Sequence, residues 1–142
     1  MARPGGLGDY AFSDCYNLNS VYCYGSAPSV TPQSFYSVSS TVYYLPGTVG
    51  WGAALAGQPT ALWSVPYPLI LTSTPAFGVQ TNRFGFAISW AMNLPVIVQT
   101  CTNLARPVWL PIATNALTAG SSYFSDPNWR TAPVRFYRVA SP

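Results

Sequence analysis

No stretch of this chain longer than about eight residues keeps the 3.6-residue apolar period of a helix, because proline and glycine break it throughout, with 14 and 11 copies in 142 residues. Proline removes a backbone donor and clashes with the preceding turn, so a chain punctuated this often is confined to short strands and turns. The one helical candidate is residues 50–57, where Ala53, Ala54, Leu55 and Ala56 lie between glycines. Hydrophobic residues make up 49% and aromatics 15%, enough to build a core, and the length suits two small units better than one large one. The expected fold class is therefore mainly β.

The first part carries a period. Leu7, Phe12, Leu18 and Val21 form an apolar ladder, and Val30 and Phe35 recur 23 positions after Leu7 and Phe12. Residues 7–30, LGDYAFSDCYNLNSVYCYGSAPSV, resemble one unit of the BspA-like leucine-rich repeats, whose pattern runs I/L-G-x-x-A-F-x-x-C-x-x-L-x-x-V. Gly8, Ala11, Phe12, Cys15, Leu18 and Val21 all fall in register with it. The next unit keeps Phe35 but has Thr31 in the Gly position, Ser34 in the Ala position and no matching Cys, as a worn terminal coil would. The following segment is similar to the closing stretch after the last repeat, with a strand at residues 42–45 and Trp51 as a cap. The resemblance implies β-solenoid-like coils over residues 1–63.

Coils of this kind bury their ladders only against neighbouring coils, and about three repeats are the usual minimum. With barely two present, further coils and a signal peptide are expected upstream of Met1, whose own surroundings lack the apolar core of a secretory signal; the alternative is that the tail or a second copy covers the open apolar end at Leu7, Phe12 and Leu18.

Residues 64–81 contain Pro66, Pro68 and Pro75 and read as an extended connector. Beyond it Phe84, Phe86, Ile88 and Trp90 alternate with small residues, the period-2 signature of a strand with one heavy apolar face. Burying those four side chains is worth about 6 to 12 kcal/mol before entropy. Further strands are expected at 96–101, 108–113, 123–125 and 135–139, a spacing that suits a small antiparallel sandwich over residues 82–142. The same stretch resembles a C-terminal β module of secreted proteins from environmental bacteria, through V-x-Q-T-C-T-N-L, W-x-P-I, Y-F-S-D-P and the terminal R-F-Y-R. Together the two resemblances imply a secreted or cell-surface protein, and no catalytic residues transfer with them.

Charged side chains are only 6% of the chain: six arginines (Arg3, Arg83, Arg106, Arg130, Arg135, Arg138) against Asp9, Asp14 and Asp126, with no Lys, Glu or His. The arginines form no block that could follow a phosphate backbone, which sets nucleic acid aside. No apolar run approaches the roughly 20 residues of a membrane span. Without histidine, Ser-His-Asp and Cys-His arrangements are excluded, and no catalytic residue, metal site or cofactor is expected. Cys15, Cys23 and Cys101 show no C-x-x-C spacing; buried free thiols are the first reading and a Cys15–Cys23 bridge the second.

Two groups of residues remain for a functional reading. Asp126, the sole acid after Asp14, precedes Arg130, Arg135 and Arg138, so a structural ion pair with Arg135 or Arg138 would fix the FSDPNW turn against the last strand. Tyr22, Tyr24, Tyr43 and Tyr44 fall on strands of neighbouring repeats, where lined-up rings make a ribbon suited to protein or glycan contacts. The expected function is a non-catalytic binding or structural module that adheres to a protein, matrix component or cell surface, with the tail stabilising, sorting or anchoring it. The alternative is a carbohydrate-binding module of a larger secreted enzyme.

Overall fold

A computed structural model describes residues 5–142, which form strands and turns with no helix among them; Arg3 lies outside the described residues. The chain separates into two compact units between Trp63 and Ser64.

The first unit contains β1 (Ser20–Cys23), β2 (Thr41–Tyr44), β3 (Ala54–Leu55) and β4 (Gln58–Leu62), in the sheet order β1-β2-β4-β3. Strands β1, β2 and β4 are parallel, with Tyr22 beside Tyr43 and Tyr43 beside Ala61. The turns leading into β1 and β2 repeat the 23-residue offset. Ala11, Ser13 and Cys15 donate to the carbonyls of Gly8, Tyr10 and Phe12, and Ser34, Tyr36 and Val38 donate to those of Thr31, Gln33 and Phe35. Asp14 and Ser37, also 23 apart, both take the left-handed conformation at φ 57° and 58°. The two stretches are tied by Leu7, Phe12 and Asp14, whose N–H groups donate to the carbonyls of Ser29, Ser34 and Tyr36. Phe12 stacks on Phe35 with ring centroids 5.1 Å apart.

Side-chain burial rises along this stack. Phe35 and Val42 are 3% and 0% exposed, whereas Leu7, Phe12, Leu18 and Val21 are half-buried against them. Ser34, in the position of Ala11, is fully buried. Its hydroxyl accepts from the Thr31 N–H at 3.1 Å and contacts the Gly8 carbonyl at 3.1 Å, so the extra oxygen is satisfied and ties the two stretches together.

Two expectations for this unit are corrected. Residues 50–57 form no helix: Ala56 at φ 47° and Gly57 at φ 83° make a two-residue hairpin that folds β3 back on β4. Both central residues need positive φ, which the glycine supplies without a side-chain clash, and this turn chemistry outweighs the helix preference of the alanines. The second concerns the thiols, all three of which are free. Cys101 is buried and Cys23 half-buried, but Cys15 is exposed, because it belongs to the outer stretch; its equivalent one stretch inward, Val38, is half-buried.

The second unit contains β5 (Leu69–Leu71), β6 (Gly78–Gln80), β7 (Arg83–Ser89), β8 (Pro95–Cys101), β9 (Leu110–Ala116), β10 (Ser121–Asp126) and β11 (Phe136–Ala140). One antiparallel sheet runs β10-β7-β5, with β6 also on β7, and the other runs β11-β8-β9. Phe86 and Ile88 of β7 and Phe124 of β10 meet Val96 and Val98 of β8, with Leu117 closing the cluster; all are 6% exposed or less. Phe84 and Trp90, at the ends of the β7 alternation, are partly buried against it.

Residues 64–81 are not a plain connector. They supply β5 and β6, both paired with β7, because Leu69, Ile70 and Leu71 fit the sheet between the prolines and because Thr81 and Asn82, at φ 47° and 63°, close a two-residue hairpin into β7. In β9 the expected strand slides toward its C-terminal side. Val98 faces Ala113 but Gln99 faces Pro111, so Ile112 is an extra residue at a bulge that accommodates the proline. Gly85 is required by its neighbours: a Cβ there would lie 2.8 Å from the Phe124 carbonyl and run into the Tyr123 ring.

Candidate functional site

The outward face of the parallel ladder in the first unit carries a row of aromatic side chains. Tyr22 and Tyr43 occupy the same register position on adjacent strands, and their rings stack at 5.1 Å and 14°. Trp63 follows β4, held there by its N–H donating to the Tyr44 carbonyl at 2.8 Å. Its indole lies 4.9 Å from both Tyr22 and Tyr24, tilted against the first and edge-on to the second. Each such pair contributes about 0.5–1.5 kcal/mol beyond simple burial. Tyr22 and Tyr24 remain 52% and 59% exposed, while Tyr43 and Trp63 are half-buried beneath them.

Tyr44 does not join this row. Consecutive strand residues face opposite ways, and Tyr44 instead stacks on Trp51 at 4.8 Å and 9°. Trp51 in turn donates from Nε1 to the Thr48 hydroxyl at 2.9 Å and packs on the Phe35 cluster. Three of the four expected tyrosines are thus brought together, and the fourth belongs to the packing around Trp51. Trp63 is the member that sequence reasoning missed. Its parity with Ala61, in register with Tyr43, would have placed it on this face, but only if β4 had been expected.

Stacking takes up one face each of Tyr22 and Tyr43, and Trp63 lies tilted against Tyr22, so the row offers ring edges and phenol hydroxyls along with the faces left unstacked. The row itself bears no formal charge. Asp14 accepts from Ser13 and from the Tyr16 hydroxyl at 3.1 and 3.0 Å, and this hydrogen bond, together with the nearby carboxylate charge, raises the Tyr16 phenol above its ordinary range.

In the second unit Asp126, 5% exposed, is bound on both oxygens. Oδ2 accepts from Arg135 Nη1 at 2.6 Å and from the Tyr137 hydroxyl at 2.8 Å, and Oδ1 accepts from the Asn128 N–H at 2.7 Å. Burial by itself would push this carboxyl up, but the bonds from Tyr137, Asn128 and Arg135 outweigh it and hold the group below the usual carboxylate range. Burial and the Asp126 bond both hold the Tyr137 phenol far above its ordinary value. Arg135 also donates to the Thr131 hydroxyl at 2.6 Å. The cluster clamps the end of β10 to the start of β11. Arg138 lies elsewhere: its Nε donates to Gln99 Oε1 at 2.7 Å, and its guanidinium sits 4.4 Å from the Trp109 ring centroid. The alternation of β11 turns it away from Tyr137.

Among the described residues no three His, Cys, Asp or Glu side chains gather in a way that could hold a metal ion, and no helix is long and apolar enough to cross a membrane. Compared with protein-family models, characterised proteins and solved structures, the chain shows no match.

Proposed function

We propose that this protein is a non-catalytic binding module of a secreted or cell-surface protein, and that its first unit, ending at Trp63, is the terminal coils and cap of a BspA-like leucine-rich-repeat stack. The observation that carries the reading is the aromatic row of exposed Tyr22 and Tyr24 with half-buried Tyr43 and Trp63 on the outer face of an in-register parallel ladder. Large rings held rigid by one another lose little entropy on binding, and aromatic side chains of this kind dominate protein contacts. Support for the coils comes from the turn hydrogen bonds repeated at a 23-residue offset and from the Phe12–Phe35 stack. In this reading the second unit serves as a stabilising, sorting or anchoring end piece.

The row favours a protein or matrix partner over a polysaccharide. A pyranose platform presents a flat open ring face, and here Tyr22 and Tyr43 stack on each other while Trp63 meets Tyr22 at 60° and Tyr24 at 81°, so the four rings form no common flat surface. The test is biolayer interferometry of the full chain, wild type and Tyr22→Ser/Tyr24→Ser, against immobilised collagen, fibronectin and laminin, with cellulose and chitin in parallel. Both tyrosines are more than half exposed, so the double variant should stay folded by near-UV circular dichroism. Saturable binding to a matrix protein that falls at least tenfold in the variant supports the proposal. Binding that is indifferent to the two tyrosines overturns it, as does binding confined to the polysaccharides.

A further inference from the structure

We propose that a groove in the second unit, walled by Phe84, Trp129, Pro133 and Tyr137 and charged by Arg130, is a binding site for a small aromatic carboxylate. The site is separate from the aromatic row and does not depend on the role given to it. The groove has a volume of about 430 Å³, within the range of small-molecule sites.

Its walls are built before any ligand arrives. Phe84 and Tyr137 stack at 4.9 Å and 19°, and the Tyr137 hydroxyl is tied to Asp126. Trp129 is held by its Nε1–H, which donates to the Asn82 carbonyl at 3.1 Å across the hairpin that precedes β7. A flat apolar ligand therefore meets rigid flat surfaces, and little side-chain ordering opposes its entry.

The charge in the groove is lopsided. Asp126 is the only side-chain carboxylate of the unit, and Arg135, Tyr137 and Asn128 already occupy it. Arg130 is left without a carboxylate side chain inside the unit; its guanidinium lies 4.8 Å from the Trp129 ring centroid, so it is placed at the groove wall yet exposed to solvent. Arg135 also lines the groove, but its charge is met by Asp126 and its unpaired Nε–H is buried away from the groove, so Arg130 supplies the positive charge on offer. One free guanidinium fork beside aromatic walls is complementary to a single carboxylate on a flat ring, because that fork matches two carboxylate oxygens at once.

The experiment is isothermal titration calorimetry of the full chain with 2-naphthoate as probe and 2-naphthalenemethanol as its uncharged counterpart. The expected result is saturable one-to-one binding of the acid. It should weaken at least tenfold when the alcohol replaces the acid and by a similar factor in Arg130→Gln, while Arg83→Gln, outside the groove, leaves it unchanged. Arg130 is exposed, so its replacement should preserve the near-UV circular dichroism of the unit. No saturable binding of the acid at millimolar concentration, equal binding of acid and alcohol, or an Arg130→Gln variant that binds as the wild type does would each overturn the assignment.

Discussion

Replacing Asp126 by Asn tests the clamp at the end of β10. The substitution keeps the shape of the side chain but removes the charge that Arg135 faces at 2.6 Å, and because an amide has one oxygen, either the Asn128 N–H or the Arg135 and Tyr137 pair loses its acceptor to an NH2 donor. Hydrogen bonds to charged groups contribute about 1.5–3 kcal/mol each, and stranding the mostly buried partner of an ion pair costs about 3–5 kcal/mol. Arg135 retains 16% side-chain exposure and its bond to Thr131, which relieves part of that cost, so a loss of about 2–4 kcal/mol is expected.

For a unit the size of Ser64–Pro142, that loss lowers the melting temperature by about 10–25 °C, measured by calorimetry at neutral pH. The sign of the pH dependence is set by the lowered carboxyl of Asp126. Its stabilisation is complete above the unfolded-state value, near pH 4, and is lost as pH falls through the still lower folded-state value. The gap between wild type and variant should therefore stay constant from neutral pH down to about pH 5 and close below about pH 4. A variant that melts within 2 °C of the wild type at neutral pH, on the order of 0.5 kcal/mol or less, would refute the clamp.

Three further substitutions probe the cores. Ser89 is fully buried on β7 with its hydroxyl unpaired, so Ser89→Ala should raise stability by about 1 kcal/mol in urea unfolding, since an unmet polar group is removed at little change in volume. Phe35→Ala should cost the first unit about 3–5 kcal/mol, because Phe35 is 3% exposed and packs with Phe12, Val42 and Leu55; Phe12→Ala, at the half-buried outer position, should cost clearly less by the same measurement.

Much of the β content was legible in the residues themselves. The alternation from Phe84 to Trp90 marks β7, and the spacing of Leu7, Phe12, Val30 and Phe35 marks two stretches of equivalent backbone, since 23 residues separate both the apolar positions and the repeated turn bonds. What was not legible depended on turns. Ala56-Gly57 and Thr81-Asn82 each close a tight hairpin through two positive-φ residues, and neither pair is a strong signal alone. Missing the first hid β4 and with it the placement of Trp63, while missing the second made β5 and β6 look like linker.

The order of residues alone was enough to exclude long helices and histidine chemistry and to mark strands through side-chain alternation. Local rules suffice for this, because proline geometry, side-chain alternation and the inventory of ionisable groups act within a few residues of the chain. It took the folded arrangement to pair Asp126 with Arg135 rather than Arg138, to turn Tyr44 to Trp51 while Tyr43 turns to Tyr22, and to bring Trp63 into the row. Those choices rest on strand parity and on pairing across many residues, where shifting a strand by one position sends every side chain to the other face.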